Sequence, residues 1–286
     1  GGIVDNGDTD IDIVANAAGA VATLTAVNGI GSAGALETRI ARLSGSNTTG
    51  GAIQIAESDG IILDEVLNVT TGDVSIDTTT GAIIDGNGAT LNIRGNTCTL
   101  TADTGIDVDT DVTTITDASN SSAGAIDIQE LDTGTGDGLV VTSFDATAGV
   151  GGAVSIVSAD LLTVNGWTLD AADNRNLYLE AAVGNLTYPD AAVDIGSGNL
   201  TVIGAADIIR TGGANHDLTA GILTLTSGSG ETASTSVTSV DATITGTGDL
   251  VLNEANGIEL TDVDTADGNI TVTDAAGSVS VVDVAD

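Results

Sequence analysis

Along most of the chain, apolar and polar residues alternate in short runs, and each run is opened by a glycine. Gly51-Ala52-Ile53-Gln54-Ile55, Gly72-Asp73-Val74-Ser75-Ile76, Gly124-Ala125-Ile126-Asp127-Ile128 and Gly152-Ala153-Val154-Ser155-Ile156 share this form. So do Gly198-Asn199-Leu200-Thr201-Val202, Gly248-Asp249-Leu250-Val251-Leu252 and Gly268-Asn269-Ile270-Thr271-Val272. A period of two is the signature of a strand with one face in the core, because successive side chains leave a strand on opposite sides. The pattern therefore predicts short strands with Ile, Val and Leu inward, Ser, Thr, Gln and Asp outward, and glycine at the turns. No stretch carries the three-to-four-residue apolar spacing of an amphipathic helix.

The spacing of these runs sets the architecture. Gly51 to Gly72, Gly60 to Gly81, Gly248 to Gly268 and Gly257 to Gly277 are each about 20 residues apart. Tandem units of that length with two or three strands predict an all-β fold, a parallel β-helix or β-solenoid with coils of about 20 residues. A longer repeat overlies it: residues 36–83 align with 233–279, pairing Ile40 with Val237, Gly51 with Gly248, Gly60 with Gly257 and Gly81 with Gly277. A looser third copy runs over residues 112–156. Residues 1–286 are expected to form one continuous solenoid of about 14 coils, about 65–70 Å long at 4.8 Å per coil. Starting at Gly1-Gly2 without Met or a signal segment, the chain reads as an excerpt or processed form of a longer one. Residues 165–190 break the motif and hold Trp167, Tyr178, Tyr188 and the sole proline, Pro189, which predicts a loop protrusion or irregular junction there.

Composition agrees. Methionine is absent, and Phe144, Trp167, Tyr178 and Tyr188 are the only aromatic residues, so a core must be built from small aliphatic side chains. With 39 glycines and a 41% hydrophobic share the chain is neither an ordinary globular core nor a disordered segment. Five basic residues against 41 acidic ones give a net charge of −36. Such a field repels nucleic acid and anionic lipid, so neither is an expected partner. No apolar run approaches the roughly 20 residues that span a bilayer as a helix, and no membrane insertion is expected.

Few residues suggest chemistry. Asp8, Asp10 and Asp12, then Asp107, Asp109 and Asp111, then Asp262 and Asp264 place alternate carboxylates on one face, as hard-cation sites do. None matches an EF-hand loop or a calcium β-roll nonapeptide, so no cofactor is expected and calcium is the ion the pattern admits. Cys98 has no partner for a disulfide and is expected to face the core. His216 beside Asp217 has no serine or cysteine elbow near it and reads as a surface turn. The outward pairs Thr224/Thr226, Thr243/Thr245 and Thr271/Thr273 resemble ice-binding arrays, but Asp, Asn and Ser interrupt them. Sequons at Asn47, Asn68, Asn120, Asn185, Asn199 and Asn269 permit glycosylation without requiring it.

The stretches Asn28 to Ile83 and Gly230 to Val282 resemble the repeats of filamentous-haemagglutinin-type exoproteins, large bacterial adhesins exported by two-partner secretion. The same repeat grammar occurs in autotransporter passengers, and no segment matches the family's amino-terminal secretion domain. The resemblance implies an extracellular, cell-surface location and a non-enzymatic role as adhesin stalk or filament subunit, with end-to-end self-association and surface glycans as partners. The alternatives are a calcium- or ice-binding solenoid module and a carbohydrate-active β-helix enzyme. The enzyme would need a groove where arginine, aromatic and acidic residues converge, with Trp167 to Tyr188 the candidate stretch, and it fails if Arg94, Arg175 and Arg210 lie far apart.

Overall fold

A computed structural model describes residues 1–69, 71–131, 138–146, 152–213 and 215–284. Nearly all regular structure is β, and the strands pair in parallel with strands one coil away, which is a β-solenoid with coils of about 21 residues. The chain divides into two compact units, Gly1–Gly152 and Ala153–Asp286. No helix among the described residues is long and apolar enough to cross a membrane.

In the first unit, parallel register stacks Ile3, Ile30, Ile53, Val74, Cys98, Ile115 and Val141 in one column. A second column runs Ile61, Ile83, Ile106, Ile126. The second unit repeats the device with Val154, Leu177, Leu200, Leu223, Val240, Leu260 and Val281. Strand Ile53–Glu57 shows how alternation produces this: Ile53 and Ile55 are buried while Gln54 between them is half-exposed. Burying each such side chain contributes about 1.5–3 kcal/mol before the entropy of ordering is set against it. Cys98 takes the place of an aliphatic rung and is fully buried, as its alternating neighbours Thr97 and Thr99 imply.

Turns at the coil corners need glycine for two reasons. Gly51 has φ +88°, and a β-carbon there would lie 2.8 Å from the Asn28 carbonyl oxygen of the preceding coil. Gly248, its counterpart in the longer repeat, has φ +130° and would place a β-carbon 2.6 Å from Gly230 N. Both the left-handed backbone and the close stacking exclude a side chain.

Residues 165–190 lie inside the second unit and interrupt the coil only locally. Strand Trp167–Thr168 leads into a single 3-10 turn, Ala171–Asp173, capped by the Asp170 carboxylate accepting from Ala172 N at 2.9 Å. Strands Leu177–Ala181 and Asn185–Tyr188 then rejoin the stack in register. The break in the motif is thus a protruding corner. Part of the looser third repeat, residues 132–137 and 147–151, lies outside the described residues.

Candidate functional site

The polar residues of interest fall into three arrangements. The first is made of turn clasps. Asn47 Nδ2 donates to the carbonyls of Gly50 at 2.8 Å and Gly51 at 3.1 Å and to Asn68 Oδ1 at 2.9 Å, and its own Oδ1 accepts from Gly29 N. Asn68 Nδ2 donates to the Gly51 and Asp73 carbonyls, and Asn120 Nδ2 to those of Gly124 and Ala125. In each case an Asn ends a strand and spans the turn before the next glycine-led strand. All three amides are buried, so at Asn47, Asn68 and Asn120 the N-x-[ST] pattern is a turn signature and the folded chain closes these sites to glycan transfer. Asn199 and Asn269 are exposed and Asn185 is half-exposed.

Glutamates serve the same end. Glu57 is fully buried; its carboxylate accepts from Thr38 Oγ1 at 2.7 Å, Ile40 N at 3.1 Å, Ser58 N at 3.1 Å and Asp59 N at 3.3 Å. Burial pushes its carboxyl above the usual range in spite of the donors around it.

The second arrangement lies in the second unit, where an open cleft of about 410 Å³ is lined by Ile208, Arg210, His216, Ser229 and Glu231. His216 stands in strand His216–Thr219 and is 3% exposed, so the expected surface turn is instead a core position. Strand alternation turns it inward and its neighbour Asp217 outward to Arg210, 3.0 Å away. His216 Nε2 meets Glu231 Oε2 at 2.8 Å and Nδ1 meets the Tyr188 hydroxyl. Glu231 Oε1 accepts from Ser227 Oγ at 2.6 Å and Ile208 N at 3.3 Å. Trp167 packs on Tyr188 with ring centroids 5.9 Å apart. Burial pushes the Tyr188 hydroxyl well above its ordinary pKa, with the Glu231 charge adding to the effect.

The aromatics, one arginine and an acid thus converge, which the enzyme alternative asked for, but both Glu231 oxygens are engaged by the fold. Arg210 is also paired with Asp190, Arg175 with Asp173 at 2.7 Å, and Arg94 with Asp111 at 3.1 Å. No two arginines share a carboxylate among these ion pairs.

The third arrangement comprises the carboxylates, which the structure regroups. Asp8 and Asp10 are exposed turn formers: Asp8 Oδ1 accepts from Asp10 N, and neither joins Asp12 in a cluster. Asp12 instead meets Asp5 and Glu37, with one oxygen from each residue within 4.8 Å of the other two. Desolvation pushes Glu37 up, as do the charges of Asp5, Asp12 and Asp8.

On strand Ile106–Asn120, Asp107 and Asp109 line one cleft with Asp85 and Asp127, while Asp111 leaves them. Asp107 pairs in register with Asp127, Asp109 is buried, and Asp111 faces Arg94. Desolvation, then the charges of Asp127 and Asp85, raise Asp107; desolvation and then Asp85 and Asp107 raise Asp109. Asp262 stacks on Asp241 one coil away, and it is raised chiefly by Asp264.

Thr224 also stacks on Asp241 and Thr243 on Asp264, so the threonine columns are broken by acids, as the sequence implied. Asp5, Glu37 and Glu231 were not picked out from the sequence, because their neighbours come from other coils. No family model, curated protein or solved structure matches this chain.

Proposed function

We propose that the chain is a structural, non-enzymatic segment of an extracellular surface fibre or adhesin stalk, of the filamentous-haemagglutinin kind its repeats resemble. The observation that carries this reading is the set of unbroken aliphatic columns in each unit, formed by parallel strands one coil apart. A stack of this kind resists bending because every coil is hydrogen-bonded to its neighbours, and its acidic outer face keeps it hydrated. The geometry of the buried acids and amides supports the same reading. Glu57, Glu231, Asn47 and Asn68 spend their polar atoms on backbone groups and neighbouring side chains of the fold, where a catalytic group would keep a free face.

End-to-end self-association, which the repeat resemblance implies, is part of this proposal. Strand Val279–Val281 pairs with Ile258–Asp267 on one side, and among the described residues nothing pairs with its other edge. Val281 and Val282 are exposed there.

Immunogold electron microscopy of the producing cells tests the reading. Label along extracellular fibres supports it; label confined to the cell interior overturns it.

A further inference from the structure

Asp5, Asp12 and Glu37 are brought together by two different devices. Asp12 immediately precedes strand Ile13–Ala15, which pairs with Leu36–Ile40 one coil on, so Asp12 and Glu37 become register neighbours. Asp12 N donates to the Glu37 carbonyl at 2.9 Å, and Glu37 N returns a bond to Asp12 Oδ2 at 3.3 Å. Asp5 arrives from the loop that follows the Ile3–Ile30 bridge. Its Oδ2 accepts from Gly7 N at 2.7 Å and lies against Gly34, where a β-carbon would come within 2.7 Å of it.

The cluster is unbalanced as it stands. Like charges side by side on neighbouring strands repel, and among the described residues no Arg or His pairs with any of the three. Asp5 is only 4% exposed, yet its Oδ1 has no hydrogen-bond donor. Glu37 Oε2 is also buried without one. Buried carboxylate oxygens without donors are costly unless a proton or a cation satisfies them.

Three oxygens within 4.8 Å of one another fit inside the oxygen shell of calcium, about 4.6–5.2 Å across for ligands at 2.3–2.6 Å. Asp12 is exposed, so water has access on that side to complete a coordination number of six to eight.

We propose that Asp5, Asp12 and Glu37 bind one hard divalent cation of the calcium class, which fastens the loop over residues 5–12 to strand Leu36–Ile40 of the next coil. Diffuse attraction of counterions to the acidic surface is a different phenomenon, because it is spread over the chain and falls with salt. This site is local and depends on named oxygens. The inference does not rest on the proposed role of the chain, and the two fail separately.

Isothermal titration calorimetry of the whole chain, stripped with chelator and kept in 0.15 M sodium chloride, is the test. Calcium chloride is expected to fill one saturable site with a dissociation constant of about 10⁻⁴ M or tighter. Asp5→Asn and Glu37→Gln should each weaken binding at least tenfold, whereas Asp262→Asn should leave it unchanged. Magnesium should bind at least tenfold more weakly than calcium. Hydrogen exchange over residues 5–12 and 34–38 should slow on adding calcium. Both amide variants remove a like charge and are expected to melt in chelator no lower than the parent; if Asp5→Asn fails to fold, the half-buried Glu37→Gln carries the test. An isotherm identical in parent and variants overturns the proposal, as does magnesium binding equal to calcium. So does a rise in melting temperature of both variants with no calcium response in the parent, the result of a shared proton.

Discussion

Glu57 accepts a 2.7 Å hydrogen bond from Thr38 Oγ1 across adjacent coils, and the same carboxylate closes the Ser58-Asp59-Gly60 turn from inside the core. The longer repeat reproduces the arrangement at Glu254, which is 2% exposed and accepts from Val237 N at 3.4 Å, Ala255 N at 3.0 Å and Asn256 N at 3.1 Å. The longer repeat therefore keeps the buried acid and its backbone donors but not the hydroxyl bond, since the Oγ1 of Thr235, the counterpart of Thr38, is buried without a partner. Glu57→Ala leaves those donors buried and unpaired and should cost about 3 kcal/mol. Glu254→Ala should cost about as much, measured as a fall in thermal or urea midpoint. Melting unchanged in both variants would remove the clasp from the account.

Asn47 and Asn68 share one buried ladder, so each substitution strips partners from two coils at once. Asn68→Ala should destabilise by about 2–3 kcal/mol, and the double variant with Asn47→Ala by less than the sum of the two singles, since the shared bond is lost only once. If the chain is expressed in a glycosylating host, peptide mass spectrometry should find glycan at none of Asn47, Asn68 and Asn120 in folded protein.

Burial pushes the Cys98 thiol up to about 12 and seals it inside an aliphatic column. Alkylation by iodoacetamide at pH 8 should proceed only through opening of the coil, at least a hundredfold slower than in urea-unfolded chain. Equal rates in native buffer and in urea would show that the column is not closed.

The carboxylates give the stability a sign with pH. Asp107 and Asp109, raised first by desolvation, and Asp262, raised first by Asp264, hold their protons more tightly folded than unfolded. The stability they contribute is present below the ordinary carboxylate range and is lost as pH rises through their raised values. Asp103 and Asp249, held down by hydrogen bonds from Ser122 and Asn269, act in the opposite sense and are fewer. The melting temperature at low ionic strength should thus be higher at pH 4 than at pH 7.5. Added sodium chloride should narrow the difference. A lower melting temperature at pH 4 would reverse the assignment.

What the sequence made legible was periodic. The Gly-led alternation marked Ile53, Val74, Val154 and Leu200 as inward, and the spacing of the glycines gave the coil, because both signals are local. What it hid depends on which residues lie one coil apart. Glu37 meets Asp12, and His216 meets Glu231 and Tyr188, only after the register is set, and corners of unequal length shift that register along the chain. The Asn residues were visible as N-x-[ST] strings, but their role as clasps was not, because it depends on the turn each one spans.

The most direct measurement is X-ray diffraction from aligned purified protein, together with electron micrographs of the same material. A strong reflection near 4.8 Å along the particle axis, from elongated particles that lengthen end to end, is the result that the proposed structural role predicts. Compact particles without an axial repeat near that spacing would contradict it.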